Sequence, residues 1–160
     1  MSTPFLIFAN EPIKHTMKID VVDCHDGHGS CVKLVFKNKS NKSICLGGEY
    51  FDFSYKGLIF DLSFDVFDLK ADKEMIFTGP QLHELPNDRL GTSLWWVPEN
   101  KFLYNVSAFS RFYALEDGKS YLITYKAVAY YCENYEDREG YLLIEGKKEF
   151  TYKKNGSFQE

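Results

Sequence analysis

The stretch that most constrains this chain is Asp117 to Cys132, Asp-Gly-Lys-Ser-Tyr-Leu-Ile-Thr-Tyr-Lys-Ala-Val-Ala-Tyr-Tyr-Cys. It opens on an Asp-Gly turn and then alternates without a proline, rich in aromatic and β-branched residues, which predicts a long strand. Tyr121, Ile123, Tyr125, Ala127, Ala129 and Tyr131 fall on one face, and Leu122, Val128, Tyr130 and Cys132 on the other. A strand with apolar groups on both faces belongs in the middle of a sheet, covered on both sides for part of its length.

The rest of the chain supplies short strands. Residues 5–9 suggest an edge strand. Met17, Ile19 and Val21 alternate with Lys18 and Asp20, and Val32, Leu34 and Phe36 with Lys33 and Lys37. These two runs make a hairpin around a long glycine-containing loop. Shorter strands are expected at 44–46, 51–53, 60–69, 75–77 and 102–106, and two terminal ones at about 141–145 and 148–153, joined by a turn at Glu145-Gly146-Lys147. Residues 107–115 space Phe109 and Phe112 as one or two helical turns. Residues 79–99 carry three prolines and two glycines and read as the longest irregular loop. Roughly nine short strands with almost no helix predict an all-β, antiparallel β-sandwich of immunoglobulin-like type, one domain over 1–160 with its core at about 15–153. Tyr121 stands where a tyrosine corner would, its hydroxyl returning to the backbone of the preceding turn.

A net charge of −4 argues against nucleic acid, which needs a basic face. No apolar run approaches the ~18 residues of a membrane-spanning helix. The first residues carry no basic segment and no long apolar core, so the expected location is the cytoplasm, with an already processed secreted or periplasmic form as the alternative. The triplets at Asn38, Asn41 and Asn105 match the glycosylation pattern and, without a secretory signal, read as chance. Four cysteines, Cys24, Cys31, Cys45 and Cys132, permit two disulfides, or free buried thiols in a reducing compartment. In a sandwich, Cys45 and Cys132 can face each other across the layers.

Catalytic constellations are weak. Cys24, His25, His28 and Cys31 are a metal candidate, crowded into one short loop; the alternative is a hairpin neck closed by a disulfide or flanked by two thiols. His83-Glu84-Leu85-Pro86-Asn87 starts like a zinc-peptidase helix but lacks the second histidine and contains a helix-breaking proline. No Gly-x-Ser-x-Gly elbow is present. The acidic groups around Asp61–Asp72 and Glu133–Glu139 read as solvated loops and faces. The expectation is therefore a non-enzymatic protein without cofactor or metal. The long loop, with Gln81, His83, Glu84, Arg89, Trp95 and Trp96, is the candidate partner-binding site, because tryptophan is enriched at binding hot spots. The rival is a carbohydrate- or small-ligand-binding sandwich using Trp95, Trp96, Tyr130 and Tyr131.

Over residues 38–129 the order of features resembles a known module. Phe64-Asp65-Val66 precedes the charged turn Ala71-Asp72-Lys73, and Phe77-Thr78-Gly79-Pro80 gives an aromatic-Gly-Pro step. Phe102–Val106, Ser110–Leu115, Gly118 and Tyr121-Leu122-Ile123-Thr124-Tyr125 follow in order. This is similar to the β-sandwich module that precedes the catalytic domain in deuterolysin-type (aspzincin) metallopeptidases. Gly47-Gly48-Glu49-Tyr50 departs from that module's pattern, and no zinc domain follows in the sequence. The resemblance implies a stand-alone partner-binding module, and a lesser likeness to immunoglobulin-like proteinase inhibitors points the same way. Its expected partner is another protein, a peptidase or toxin that it inhibits.

Overall fold

A computed structural model describes residues 15–25, 27, 29–47, 64–79, 94–132 and 138–154. Two antiparallel sheets pack face to face. Strands β1 (His15–Asp23), β2 (Ser30–Asn38) and β7 (Phe102–Ser107) form the smaller sheet in the order β1-β2-β7. The larger sheet runs β5-β4-β8-β3-β6, with β9 paired along β8. Its strands are β3 (Ile44–Gly47), β4 (Phe64–Asp68), β5 (Lys73–Glu74), β6 (Leu94–Val97), β8 (Ser120–Cys132) and β9 (Arg138–Thr151). One 3-10 turn, Phe109–Phe112, sits between β7 and β8 where a helical turn was expected.

The all-β sandwich expected from the alternation is what forms, and β8 is its axis. β9 lies along one edge of β8, and β4 and β3 share the other: Phe64–Asp68 pair with Tyr125–Tyr121, and Ile44–Leu46 with Tyr131–Ala129. β3 and β4 thus run in line in the same direction. Three residues of β8, 126–128, separate the partners of Leu46 and Phe64, whereas residues 47–63 separate Leu46 and Phe64 themselves. The expected strands at 5–9 and 51–53 lie outside the described residues.

The core lies between the sheets. Tyr121, Ile123, Tyr125, Ala127 and Ala129 of β8 face Val32, Leu34 and Phe36 of β2, with Ile19, Ile44, Leu46, Phe64, Val66, Ile144 and Phe109 in the same cluster. Small residues at 127 and 129 beside aromatic ones at 121 and 125 let the layers interdigitate. The Tyr121 hydroxyl accepts the Glu116 amide hydrogen at 2.9 Å, which forms the expected corner. Gly118, at φ 77°, makes the turn before it.

The reading of the C-terminal strands is corrected. The C-terminal residues form the single strand β9, not two strands turning at Gly146. Gly146 sits within the ladder opposite Tyr125, and a Cβ there would lie 3.2 Å from Met17 Cγ and 3.3 Å from Ile19 Cγ2. The missing side chain admits β1 of the other sheet, an established reason for glycine in a strand interior. The same edge is tied by Lys148 Nζ, 3.6 Å from Asp20 Oδ1. Hydrogen bonding from Lys18 holds the Asp20 carboxyl below its ordinary range, and the charges of Lys18 and Lys148 act in the same direction. Further along, two steps on β8 (Ala129 to Tyr131) match three on β9 (Leu142 to Glu139), a bulge in which Gly140 takes φ 59°.

Buried polar groups at the loops are satisfied. Asn38 is fully buried; its Nδ2 donates to the Lys42 and Val97 carbonyls at 2.8 and 2.9 Å, and its Oδ1 accepts from Ser40 N and Oγ. Both amide hydrogens are used and no face is open, so Asn38 is not a glycosylation acceptor in the folded protein. Asp68 Oδ1 accepts the Lys70 and Ala71 amide hydrogens at 2.9 Å each, shaping the turn after β4. The Ala71 bond is the main cause of its lowered carboxyl pKa, with Lys119 contributing.

Candidate aromatic face beside a disulfide

Strand parity builds a second apolar surface, on the outside of the larger sheet. The alternate set of β8, including Val128, Tyr130 and Cys132, points away from the core. Cys45 of β3 pairs with Tyr130 on one side and Trp96 of β6 on the other. Residues directly opposite in a ladder project to the same face, with Cβ atoms ~4.5–5.5 Å apart. Trp96, Cys45 and Tyr130 therefore form one row across three strands. Trp96 is 52% exposed and Tyr130 half-buried. Val128 lies two residues before Tyr130, and Leu143, its partner on β9, is 49% exposed.

Cys45 and Cys132 form a disulfide in this face, their Cα atoms 6.0 Å apart. The possibility that they meet across the layers is overturned. β3 and β8 are neighbours in one sheet, Cys132 sits diagonally from Cys45, and the Cys132 amide donates to the Ser43 carbonyl at 3.1 Å. Both sulfurs belong to the outer face because Cys45 shares the parity of Tyr130 rather than of Ile44 and Leu46. The bond locks β3 to β8 under the row.

The 79–99 segment is not irregular throughout, because Leu94–Val97 forms β6, the last strand of the sheet in the order above. Trp95 pairs with Leu46 in register; its side chain, like Gln81, His83, Glu84 and Arg89, lies outside the described residues. Of the aromatic groups considered for carbohydrate binding, Trp96 and Tyr130 share a face, whereas Tyr131 packs against the core. Cys45, Val128 and Leu143 were not singled out from the sequence as site residues. The pairing of β3 with both β6 and β8 brings Cys45 beside Trp96 and puts Val128 and, through β9, Leu143 on the same face, a non-local fact with no periodic signature.

The Cys24–Cys31 loop takes the disulfide alternative, with Cα atoms 5.1 Å apart across the hairpin neck. Both sulfurs are consumed, so the four-residue ligand set does not exist in the oxidised protein; His25 is exposed and His28 lies outside the described residues. Among the described residues no group of three or more potential metal ligands is present. The loop is docked instead. The Ser30 amide donates to Ser110 Oγ at 2.9 Å, and Gly29, at φ 77°, leaves no room for a Cβ, which would sit 2.6 Å from that oxygen.

Chemically, the outer row of described residues offers apolar and aromatic surface that can bury and stack against a ligand. No protein-family model matches the chain, and no curated protein matches it. Among the described residues, no helix is long and apolar enough to cross a membrane.

Proposed function

We propose that this chain is a non-enzymatic protein-binding domain that docks a partner on the outer face of its larger sheet. The observation that carries the reading is Trp96, a half-exposed indole on the end strand β6, in one row with Cys45 and Tyr130. Tryptophan and tyrosine are among the residues most enriched at binding hot spots. The disulfide beneath it lowers the ordering cost of association by holding β3 and β8 in register. The resemblance to a peptidase-associated module supports a peptidase or toxin as the partner, with inhibition as the outcome.

Two disulfides support an oxidising compartment rather than the cytoplasm, because thiols there are kept reduced. Affinity capture with wild-type protein and the Trp96→Ala variant tests the binding reading. Loss of one specific partner from the variant supports it, and identical capture by both proteins rejects it.

A second reading, carbohydrate binding, is favoured by the placement of Trp96 and Tyr130 two strand spacings apart, ~9.5 Å, on one face. A glycan array showing binding that Trp96→Ala abolishes would select it.

A further inference from the structure

The other end of the larger sheet holds a cavity of about 280 Å³. Among the described residues, the outer edge of β4 is covered there by the two residues of β5 and then by the segment 75–77. The Met75 amide donates to the Val66 carbonyl at 2.7 Å, and a single bridge pairs Phe77 with Tyr113. Between these two ties the chain leaves a notch bounded by Phe64 and Tyr113.

The apolar walls are held in place. Phe77 packs against Phe112 and Tyr113 with ring centroids 5.7 and 5.6 Å apart, and Gly79 leaves no room for a Cβ against the Phe77 ring. The Phe64 ring packs tilted against that of Tyr125, centroids 5.1 Å apart, and the Phe64 carbonyl accepts the Tyr113 hydroxyl at 3.3 Å. Ile76, beside the opening, is 75% exposed, the most exposed large apolar side chain among the described residues. Among the described residues, the charged ones lining the cavity are both acidic, Asp65 and Glu74. Among the described residues neither carboxylate makes an ion pair.

We propose that this notch binds the side chain of an arginine presented by a protein partner. The cavity falls just below the ~300–1,000 Å³ of pockets for drug-sized ligands, a size suited to a single long side chain. An aromatic wall with a carboxylate beside it matches the guanidinium, whose plane stacks on a ring while its N–H groups pair with a carboxylate. The aliphatic stem of the arginine would cover Ile76 and Met75. The overall charge of −4 favours approach of such a group. This site is independent of Trp96, which lies at the β6 end of the same sheet.

The test is an amide-resolved NMR titration of the intact protein with N-acetyl-arginine amide, and in parallel with the lysine and norleucine analogues. The expected result is saturable shifts of amides 64–66 and 75–77 by the arginine probe, with a dissociation constant of ~1–10 mM, as a single side chain allows. Glu74→Gln, at an exposed position that leaves folding intact, should weaken binding roughly fivefold, and Asp65→Asn should weaken it further. Absence of saturable shifts at those amides overturns the proposal. So does norleucine binding as well as arginine, which would make the notch merely apolar, or lysine binding as well, which would make it a reader of charge alone.

Discussion

Tyr121 and Glu116 are locked together: the fully buried Tyr121 hydroxyl, at the start of the central strand, accepts the Glu116 amide hydrogen at 2.9 Å. The bond pins the turn before β8 to the strand that all of the larger sheet is built on. Tyr121→Phe leaves the packing intact and removes only this acceptor, so unfolding free energy should fall by ~1–2 kcal/mol. Urea denaturation measures it, and an unchanged midpoint would show the corner to be ornamental.

Gly146 offers a graded test of how closely the sheets approach. At 3.2 and 3.3 Å from Met17 and Ile19, an alanine Cβ needs its neighbours to move by only a few tenths of an ångström. The flexible Met17 can give way, and the entropic gain of replacing glycine offsets part of the cost. Gly146→Ala should therefore be nearly neutral, while Gly146→Val should cost ~1–3 kcal/mol through overpacking. Thermal unfolding of the two variants separates these outcomes.

The two disulfides should contribute unequally. Cys24–Cys31 spans a sequence separation of 7, and Cys45–Cys132 one of 87. On the chain-entropy account, closing the longer loop stabilises by ~4.6 kcal/mol and the shorter by ~2.5. Replacing both members of the pair with serine should cost more at Cys45/Cys132 than at Cys24/Cys31, by ~2 kcal/mol. Equal losses in chemical denaturation would contradict that account.

Acid should loosen the start of β1. The His15 ring lies 5.9 Å from that of Phe36, and burial is the main cause of its lowered pKa, opposed in part by a hydrogen bond with the Leu143 backbone. A base whose folded pKa lies below its unfolded value favours folding while neutral. Its contribution is complete above the unfolded value of about 6.5 and is lost as pH falls through the folded value. Stability should decline between pH 7.5 and 5, and His15→Gln should flatten that decline in melting curves taken across the range.

How far the sequence discloses this molecule depends on whether a signal is local. β8 is legible because its alternation is long and unbroken, and Tyr121 because its corner is set by a turn three residues away. β9 reads as two strands because Gly146 resembles a turn residue; its true reason, the passage of Met17 and Ile19 above it, belongs to a strand more than a hundred residues earlier. β6 hides because four residues before a proline are too few for periodicity to speak. The outward aim of Cys45 and Cys132 follows from parity only once β3 and β8 are known to be adjacent, which no spacing in the chain states.

The docking face is tested most directly by quantitative capture and mass spectrometry with three variants of equal melting temperature: Trp96→Ala, Tyr130→Ala, and Phe102→Ala as a control. Phe102 is 69% exposed on the smaller sheet, so it matches Trp96 in exposure but not in place. We expect one protein retained by wild type and by Phe102→Ala and reduced at least tenfold by Trp96→Ala and Tyr130→Ala, a hot-spot loss of ~1.4 kcal/mol or more. Equal retention by all four proteins, or a loss with Phe102→Ala as large as with Trp96→Ala, would contradict the account.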